Sequence, residues 1–263
     1  MLDRCGFEKI ISMEPNSDNY NLEDFVNKCP SVKFIVPQED VTTGDLINIG
    51  MEEVKSDYVL VLKDSLALST LRLSPNAFQR LVERKQYCYV PRIFVDKNQV
   101  LPINMIPHVQ KGMLKIESVS NMLDNTPTLY PYDFLGLYNR QKFIQLGGFD
   151  YTIESPYWQN LDLALRAWLW GENIRITTTF GLSYLENAPV EDATSNLSQF
   201  RFYLKNLAPQ FKLDHGEIPV STLFICFLHS SIIYSYNLLA KSGFAALVKD
   251  GLFPLEQSAY NVN

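Results

Sequence analysis

The sequence predicts an α/β fold, a mostly parallel β-sheet flanked by helices, followed by a helical C-terminal stretch. Three observations carry this expectation. Strand-like and helix-like segments alternate through the first 95 residues, the pattern of a sheet whose strands are joined by helical crossovers. The run YVLVL at 58–62 is apolar without alternation, as in a strand covered on both faces. A strong helical pattern over 159–170 stops at Gly171 and leads into the strand-like IRITT at 174–178.

Each element has its own local reason. FEKIISM at 7–13 reads as a short strand closed by the turn-rich EPNSDN. Leu22, Phe25 and Val26 recur at helical spacing, and the pattern stops at Pro30. VKFIV at 32–36 is a second buried strand. A helix opens near Thr43 and puts Leu46, Ile47, Gly50, Met51 and Val54 on one face. Ser74 and Pro75 supply an N-cap and a first-turn residue for a helix over 76–84. Residues 88–95 read as another strand. Residues 96–132, with scattered Pro, Asn and Met, are expected to form loops and short helices. A strand-like segment at 134–139, a helix near 140–146 and the turn Gly147-Gly148 follow, the two glycines supplying positive φ. Over 196–207, Leu197, Phe200, Tyr203, Leu204 and Leu207 share one helical face. Residues 222–248 read as one long or two short apolar helices with a break at Gly243. A soft boundary near 190 separates a main domain, 1–190, from a helical extension, 191–263, that packs on it or on a partner.

Composition narrows the function. The chain has 263 residues, 46% of them hydrophobic and 13% aromatic, enough for a packed core. A net charge of −6 without a basic stripe argues against nucleic acid as a partner. Cys5, Cys29, Cys88 and Cys226 are widely scattered, which signals neither a zinc site nor a disulfide framework and suits reduced thiols in the cytoplasm. The opening MLDRCGFEK is too polar for a signal peptide. The apolar stretch over 222–240 is broken by polar residues, so it reads as a buried or partner-facing helix in preference to a membrane span. Its burial in a homo-oligomer, or a peripheral membrane contact, stays open. His108, His215 and His229 are isolated, and no GxSxG, P-loop or HExxH motif is present.

Two blocks resemble the family-two glycosyltransferases, which have the GT-A fold. The first, residues 8–68, holds IISMEPNSD, then Asn48-Ile49-Gly50, then DYVLVLKDS. The second, residues 134–176, reads FLGLYNRQKFIQLGGFDYTIESPYWQNLDLALRAWLWGENIRI. The resemblance implies a nucleotide-sugar domain that transfers a sugar to a glycan, lipid or protein acceptor. It also implies a first strand and helix ahead of FEKIISM, where six residues stand, so the N-terminus reads as shortened.

The resemblance assigns residues, and several depart from its pattern. Glu14, with Ser17 in the turn after it, takes the place of the carboxylate that holds the donor's uracil or ribose. Its alternative role is to accept hydrogen bonds within its own turn. The metal-binding DxD falls on Lys63-Asp64-Ser65, where Asp64 alone is a carboxylate. Mg²⁺ or Mn²⁺ held by so few oxygens would bind weakly; Lys63 would instead offer positive charge to the donor diphosphate, or the segment is an ordinary surface loop. The base position of the ED pair is Asn160, which is not basic at neutral pH. Glu154 would substitute if its loop turned inward. Gly148, Tyr157 and Trp158 fall beside the acceptor site, with core packing as the alternative for the two aromatics. Asp162 and Arg166, one turn apart, read as a structural ion pair. Beside an active transferase stands a second reading, a non-catalytic GT-A domain that acts as a binding or assembly module.

Overall fold

A computed structural model of the protein describes residues 7–14, 22–67, 71, 74–96, 99–110, 113–120, 123–212 and 215–218. Strand β1 (Ile10–Met13) and strand β2 (Val32–Ile35) pair in parallel through the crossover helix α1 (Leu22–Lys28). Helix α2 (Thr43–Glu52) opens on a capping box, in which Thr42 accepts the Asp45 N–H while Asp45 accepts the Thr42 N–H. Strand β3 (Tyr58–Val61) follows, then helix α3 (Pro75–Glu83), capped by Ser74 with Pro75 in its first turn as the sequence predicts.

The central sheet has five strands. Strands β4 (Cys88–Asp96) and β5 (Gln99–Val100) are joined by strand β8 (Gly136–Asn139) to β3 in the order β3-β8-β4-β5, and β9 (Ile174–Ser183) pairs with β4. Because β8 is antiparallel to both β3 and β4, and β4 is parallel to β9, the three strands β3, β4 and β9 run the same way. The α/β architecture expected from the sequence is therefore present, with one qualification. Antiparallel β8 sits between two parallel strands, so most hydrogen-bonded pairings in this sheet are antiparallel. That arrangement brings the start of β8 to the edge where β3 and β9 end.

The β4–β9 pairing carries a break. Cys88 to Pro91 pair with Ile174 to Thr177, and Arg92 to Phe94 then resume with Gly181 to Ser183. Pro91 has no N–H for the ladder, and residues 178–180 loop past it. Gly181 lies so close to Phe94 that a β-carbon there would meet the ring at 2.6 Å.

The expectation of loops and short helices over 96–132 is corrected. Strand β6 (Asn104–Gln110) and strand β7 (Met113–Val119) form an antiparallel hairpin with seven paired positions from Asn104↔Val119 to Gln110↔Met113. Leu114 and Ile116 are partly buried while Lys115 and Glu117 are exposed, the period of two that defines a strand. Pro107, paired with Ile116, interrupts that signal in β6.

Helix α4 (Arg140–Gln145) leads through Gly147 and Gly148, at φ +81° and +64°, into helix α5 (Pro156–Leu169). Helix α5 is the spine of the core: Leu161, Leu163, Ala164, Leu165, Ala167 and Trp168 are all buried. Helix α6 (Leu197–Asn206) lies against it, with Phe202 and Tyr203 buried in the same core. Strands β10 (Gln210–Lys212) and β11 (His215–Glu217) form a small hairpin after it. Residues 222–248 lie outside the described residues. No helix among the described residues is long and apolar enough to cross a membrane.

Candidate functional site

The carboxyl ends of β3 and β9 and the amino end of β8 share one edge of the sheet, the edge where open α/β sheets bind ligands. Three segments meet there. Residues 63–67 leave β3, residues 130–135 enter β8, and residues 184–191 leave β9. Backbone bonds lace the first to the end of β9 and the segment after it: the Ala67 N–H donates to the Ser183 carbonyl at 2.7 Å and the Leu185 N–H to the Ser65 carbonyl at 2.8 Å. Leu66 and Tyr184 form a bridge pair.

At this junction Lys63 is paired with Asp133, whose other oxygen accepts the Tyr184 hydroxyl at 2.9 Å. The Lys63 ammonium also lies 5.6 Å from the Phe134 ring centre. Asp133 and Phe134 hold φ values of 50° and 63°, two consecutive side-chain-bearing residues in the left-handed region. Such conformations cost energy and persist where surrounding contacts over-determine them. Here the contacts are the ion pair, the Tyr184 hydroxyl and the buried Phe134 side chain.

Beside Asp133 stands Glu191, half-buried, with its carboxylate accepting the Tyr130 hydroxyl at 2.7 Å and the Asp133 N–H. Burial pushes the Glu191 carboxyl up to about 7; the two hydrogen bonds oppose this, and the Asp133 charge adds to it. Tyr132 donates to the Pro189 carbonyl and so pins the strap that carries Glu191. Burial raises the Tyr130, Tyr132, Tyr157 and Tyr184 hydroxyls, Tyr132 to about 12, so all four are protonated donors at neutral pH. The Tyr157 ring meets Tyr130 edge-on at 6.0 Å.

Lys63 is in this cluster, with Asp64 and Ser65 exposed in the turn after it. Glu14 follows the carboxyl end of β1, where its carboxylate accepts the Ser12 hydroxyl. Ser17 lies outside the described residues. Gly148 is buried, and a β-carbon there would meet the Asn48 amide oxygen at 2.6 Å. That amide accepts the Phe149 N–H and donates to the Phe149 carbonyl, which anchors the glycine turn on α2. Tyr157 borders the tyrosine cluster. Trp158 is 7% exposed, packed on Phe202 at 5.4 Å, with its indole N–H on the Thr194 carbonyl.

The two amides at the ED position are structural in their contacts. Gln159 is fully buried; it accepts the Gly44 N–H and donates to Thr42 and to the Asp150 carbonyl. Asn160, 2% exposed, donates to the Pro131 carbonyl at 2.6 Å and thereby holds the segment that carries Asp133. The inward turn that would bring Glu154 to the site does not occur. Its side chain is 76% exposed and 3.5 Å from Arg201, because Arg201 on α6 holds the loop outward through the Thr152 carbonyl. Asp162 and Arg166 form the expected ion pair at 2.7 Å, and Arg166 also donates to the Leu146 and Gly148 carbonyls.

A divalent cation needs several oxygen ligands. Asp64 is a single exposed carboxylate, and the residue before it is an ammonium already paired with Asp133. Among the described residues no three His, Cys, Asp or Glu side chains are grouped to hold a metal ion. The residues present do not fit a tightly held Mg²⁺ or Mn²⁺.

Asp133, Tyr130, Tyr184 and Glu191 were not singled out by sequence. They stand in YPYDF, GLSYLE and APVED, stretches with no fixed spacing between acid and tyrosine, and only the sheet topology joins them.

This fold is that of the GT-A glycosyltransferases. The structure is similar to GalNAc-T7 in complex with UDP, GalNAc and Mn²⁺, with a TM-score of 0.55 at 13% identity, covering 94% of this chain and 52% of that one. It is also similar to residues 1–349 of TarS from S. aureus, with a TM-score of 0.49 at 12% identity, covering 76% of this chain and 56% of that one. The chain thus spans about half the length of these two structures. No protein-family profile matches the sequence, and no curated protein matches it.

Proposed function

We propose that this chain binds a nucleotide sugar at the edge formed by β3, β8 and β9 and transfers the sugar to a glycan, lipid or protein acceptor without a tightly held divalent cation. The single observation that carries the reading is Lys63. It stands at the carboxyl end of β3 on the GT-A fold, and Asp133 holds it in place. An ammonium has three N–H donors; among the described residues Asp133 takes one, and the others are proposed to meet a diphosphate. Glu14, Ser17, Asp64 and Ser65 are the proposed further donor contacts, with Gly148 and Tyr157 on the acceptor side. A cytoplasmic location, suggested by the scattered cysteines, belongs to the same proposal. Of these, Cys29 and Cys88 are free thiols.

The burial of Gln159 and Asn160 favours a second reading, a non-catalytic GT-A domain that binds the donor or a partner without turnover. Calorimetry with UDP, the nucleotide bound by GalNAc-T7, tests the first part. UDP should bind equally well in EDTA and in Mn²⁺. Lys63→Met should weaken binding about 10–100-fold, the worth of one charge-assisted hydrogen bond. Binding that requires Mn²⁺, or no binding, would contradict the proposal. Release of UDP from UDP-sugars by the wild type separates the transferase from the binding module.

A further inference from the structure

We propose that Glu191 is the general base of this site, an assignment that rests on the donor-binding reading above. In the step it serves, an acceptor hydroxyl oxygen bonds to the anomeric carbon of the donor sugar. The bond from that carbon to the diphosphate oxygen breaks, and its electron pair leaves on the diphosphate. The acceptor's proton passes to Glu191 and then to solvent.

The geometry favours Glu191 over Asn160, Glu154 and Asp133. It is carried on the strap after β9, at the same sheet edge as Lys63, so the base and the cation facing the leaving diphosphate share one site. Asn160 has no basic oxygen to offer and is committed to the Pro131 carbonyl, and Glu154 faces outward beside Arg201. Asp133, the other acid of the cluster, is neutralised by Lys63 and bonded by Tyr184. Among the described residues, the donors to Glu191 are neutral, the Tyr130 hydroxyl and the Asp133 N–H, and it keeps contact with solvent. A general base is most effective when its pKa lies near the working pH, and burial places this one there. The charged and titratable groups that face it are Lys63 from the β3 end, Tyr130, Tyr132 and Asp133 from the segment before β8, Tyr157 from α5 and Tyr184 from the β9 end. This divides two neighbouring carboxylates between two tasks, Asp133 holding the cation and Glu191 taking the proton.

The test uses the full chain and a panel of UDP-glucose, UDP-galactose, UDP-GlcNAc and UDP-GalNAc, with water as acceptor and released UDP as the readout. Wild-type kcat/KM, which reports the donor-free protein, should rise with pH through a midpoint at about 7. Glu191→Gln, which keeps an oxygen for Tyr130, should bind UDP as the wild type does, lose about 10²–10⁴-fold in turnover and lose that pH limb. Tyr130→Phe removes a hydrogen bond to the charged carboxylate, so its midpoint should move upward while UDP affinity holds. A second readout needs no turnover. An incoming diphosphate beside Glu191 raises its proton affinity, so UDP binding near pH 7 should take up protons in the wild type but not in Glu191→Gln, as measured by calorimetry in buffers of different ionisation enthalpy. Turnover and pH profile unchanged in Glu191→Gln would overturn the assignment and leave the donor-binding reading standing. A wild type that binds UDP yet releases none from any of the four sugars would also overturn it and favour the binding module. A wild type that binds no UDP would sink both.

Discussion

At the scale of single residues, Asn160 shows how a position in a motif is redefined by what it touches. By sequence alone it stands where a catalytic base is expected, and restoring an aspartate there is the obvious experiment. In the folded chain its amide N–H donates to the Pro131 carbonyl in a buried setting. A carboxylate only accepts, so Asn160→Asp sets two acceptors face to face out of contact with water. We expect it to cost about 1–3 kcal/mol in stability by urea unfolding and to yield no gain in UDP-sugar turnover. A stable and more active variant would show that residue 160 reaches the substrate. Lys63 was legible as the odd residue in a metal-binding pattern, because a cation in place of a ligand is visible in the sequence. Its partner Asp133 was not. The two are seventy positions apart, and nothing in YPYDF marks its aspartate as the one that is turned into the left-handed region.

At the scale of elements, the turn before α5 is the joint on which the site depends. Gly148 needs positive φ and has no room for a β-carbon beside Asn48. Gly148→Ala should cost at least about 2 kcal/mol, from the left-handed penalty for a side-chain-bearing residue and the disturbed Asn48–Phe149 bonds. Chemical unfolding checks this, and a loss under about 0.5 kcal/mol, the range of ordinary surface substitutions, would mean that the turn relaxes freely. The cap of α3 and the glycine turn were readable in the sequence because their causes are local, a hydroxyl or a missing β-carbon at a fixed offset, whereas the Thr42–Asp45 capping box of α2 came from the structure. The β6–β7 hairpin was harder to see. Its alternation is clear over 114–117, but β6 has Met105, Pro107 and His108 in place of a clean pattern, and partner strands supply what propensity does not.

At the scale of the whole molecule, the cluster should leave a mark on stability against pH. A free glutamate titrates near 4.5, whereas burial holds Glu191 up to about 7. Between these values the unfolded chain has released the proton and the folded chain keeps it, so this group's contribution to stability falls as pH rises from about 4.5 to about 7. The loss is on the order of 3 kcal/mol. Asp150 acts in the opposite sense at lower pH. Burial disfavours its charge, but hydrogen bonds from Lys205 and Thr152 outweigh this and hold it at about 2, so its stabilisation is present above about 3.8 and is lost as pH falls toward 2. Thermal unfolding of Glu191→Gln beside the wild type isolates the first effect. The variant should gain relative stability between pH 5 and pH 8, and a difference independent of pH would mean that Glu191 titrates normally in the folded protein.

The amino-acid sequence by itself determined the α/β class, most helices and strands, the positive φ of Gly147 and Gly148, and the Asp162–Arg166 pair, because each follows from periodicity or from chemistry within a few residues. Only the tertiary structure decided which side chains share a site. Strand β8 enters the sheet against the direction of its neighbours, and this puts Tyr130 and Asp133 beside Lys63, Tyr184 and Glu191, which are distant in the chain. Side-chain proximity set by strand order leaves no local trace for a sequence pattern to carry.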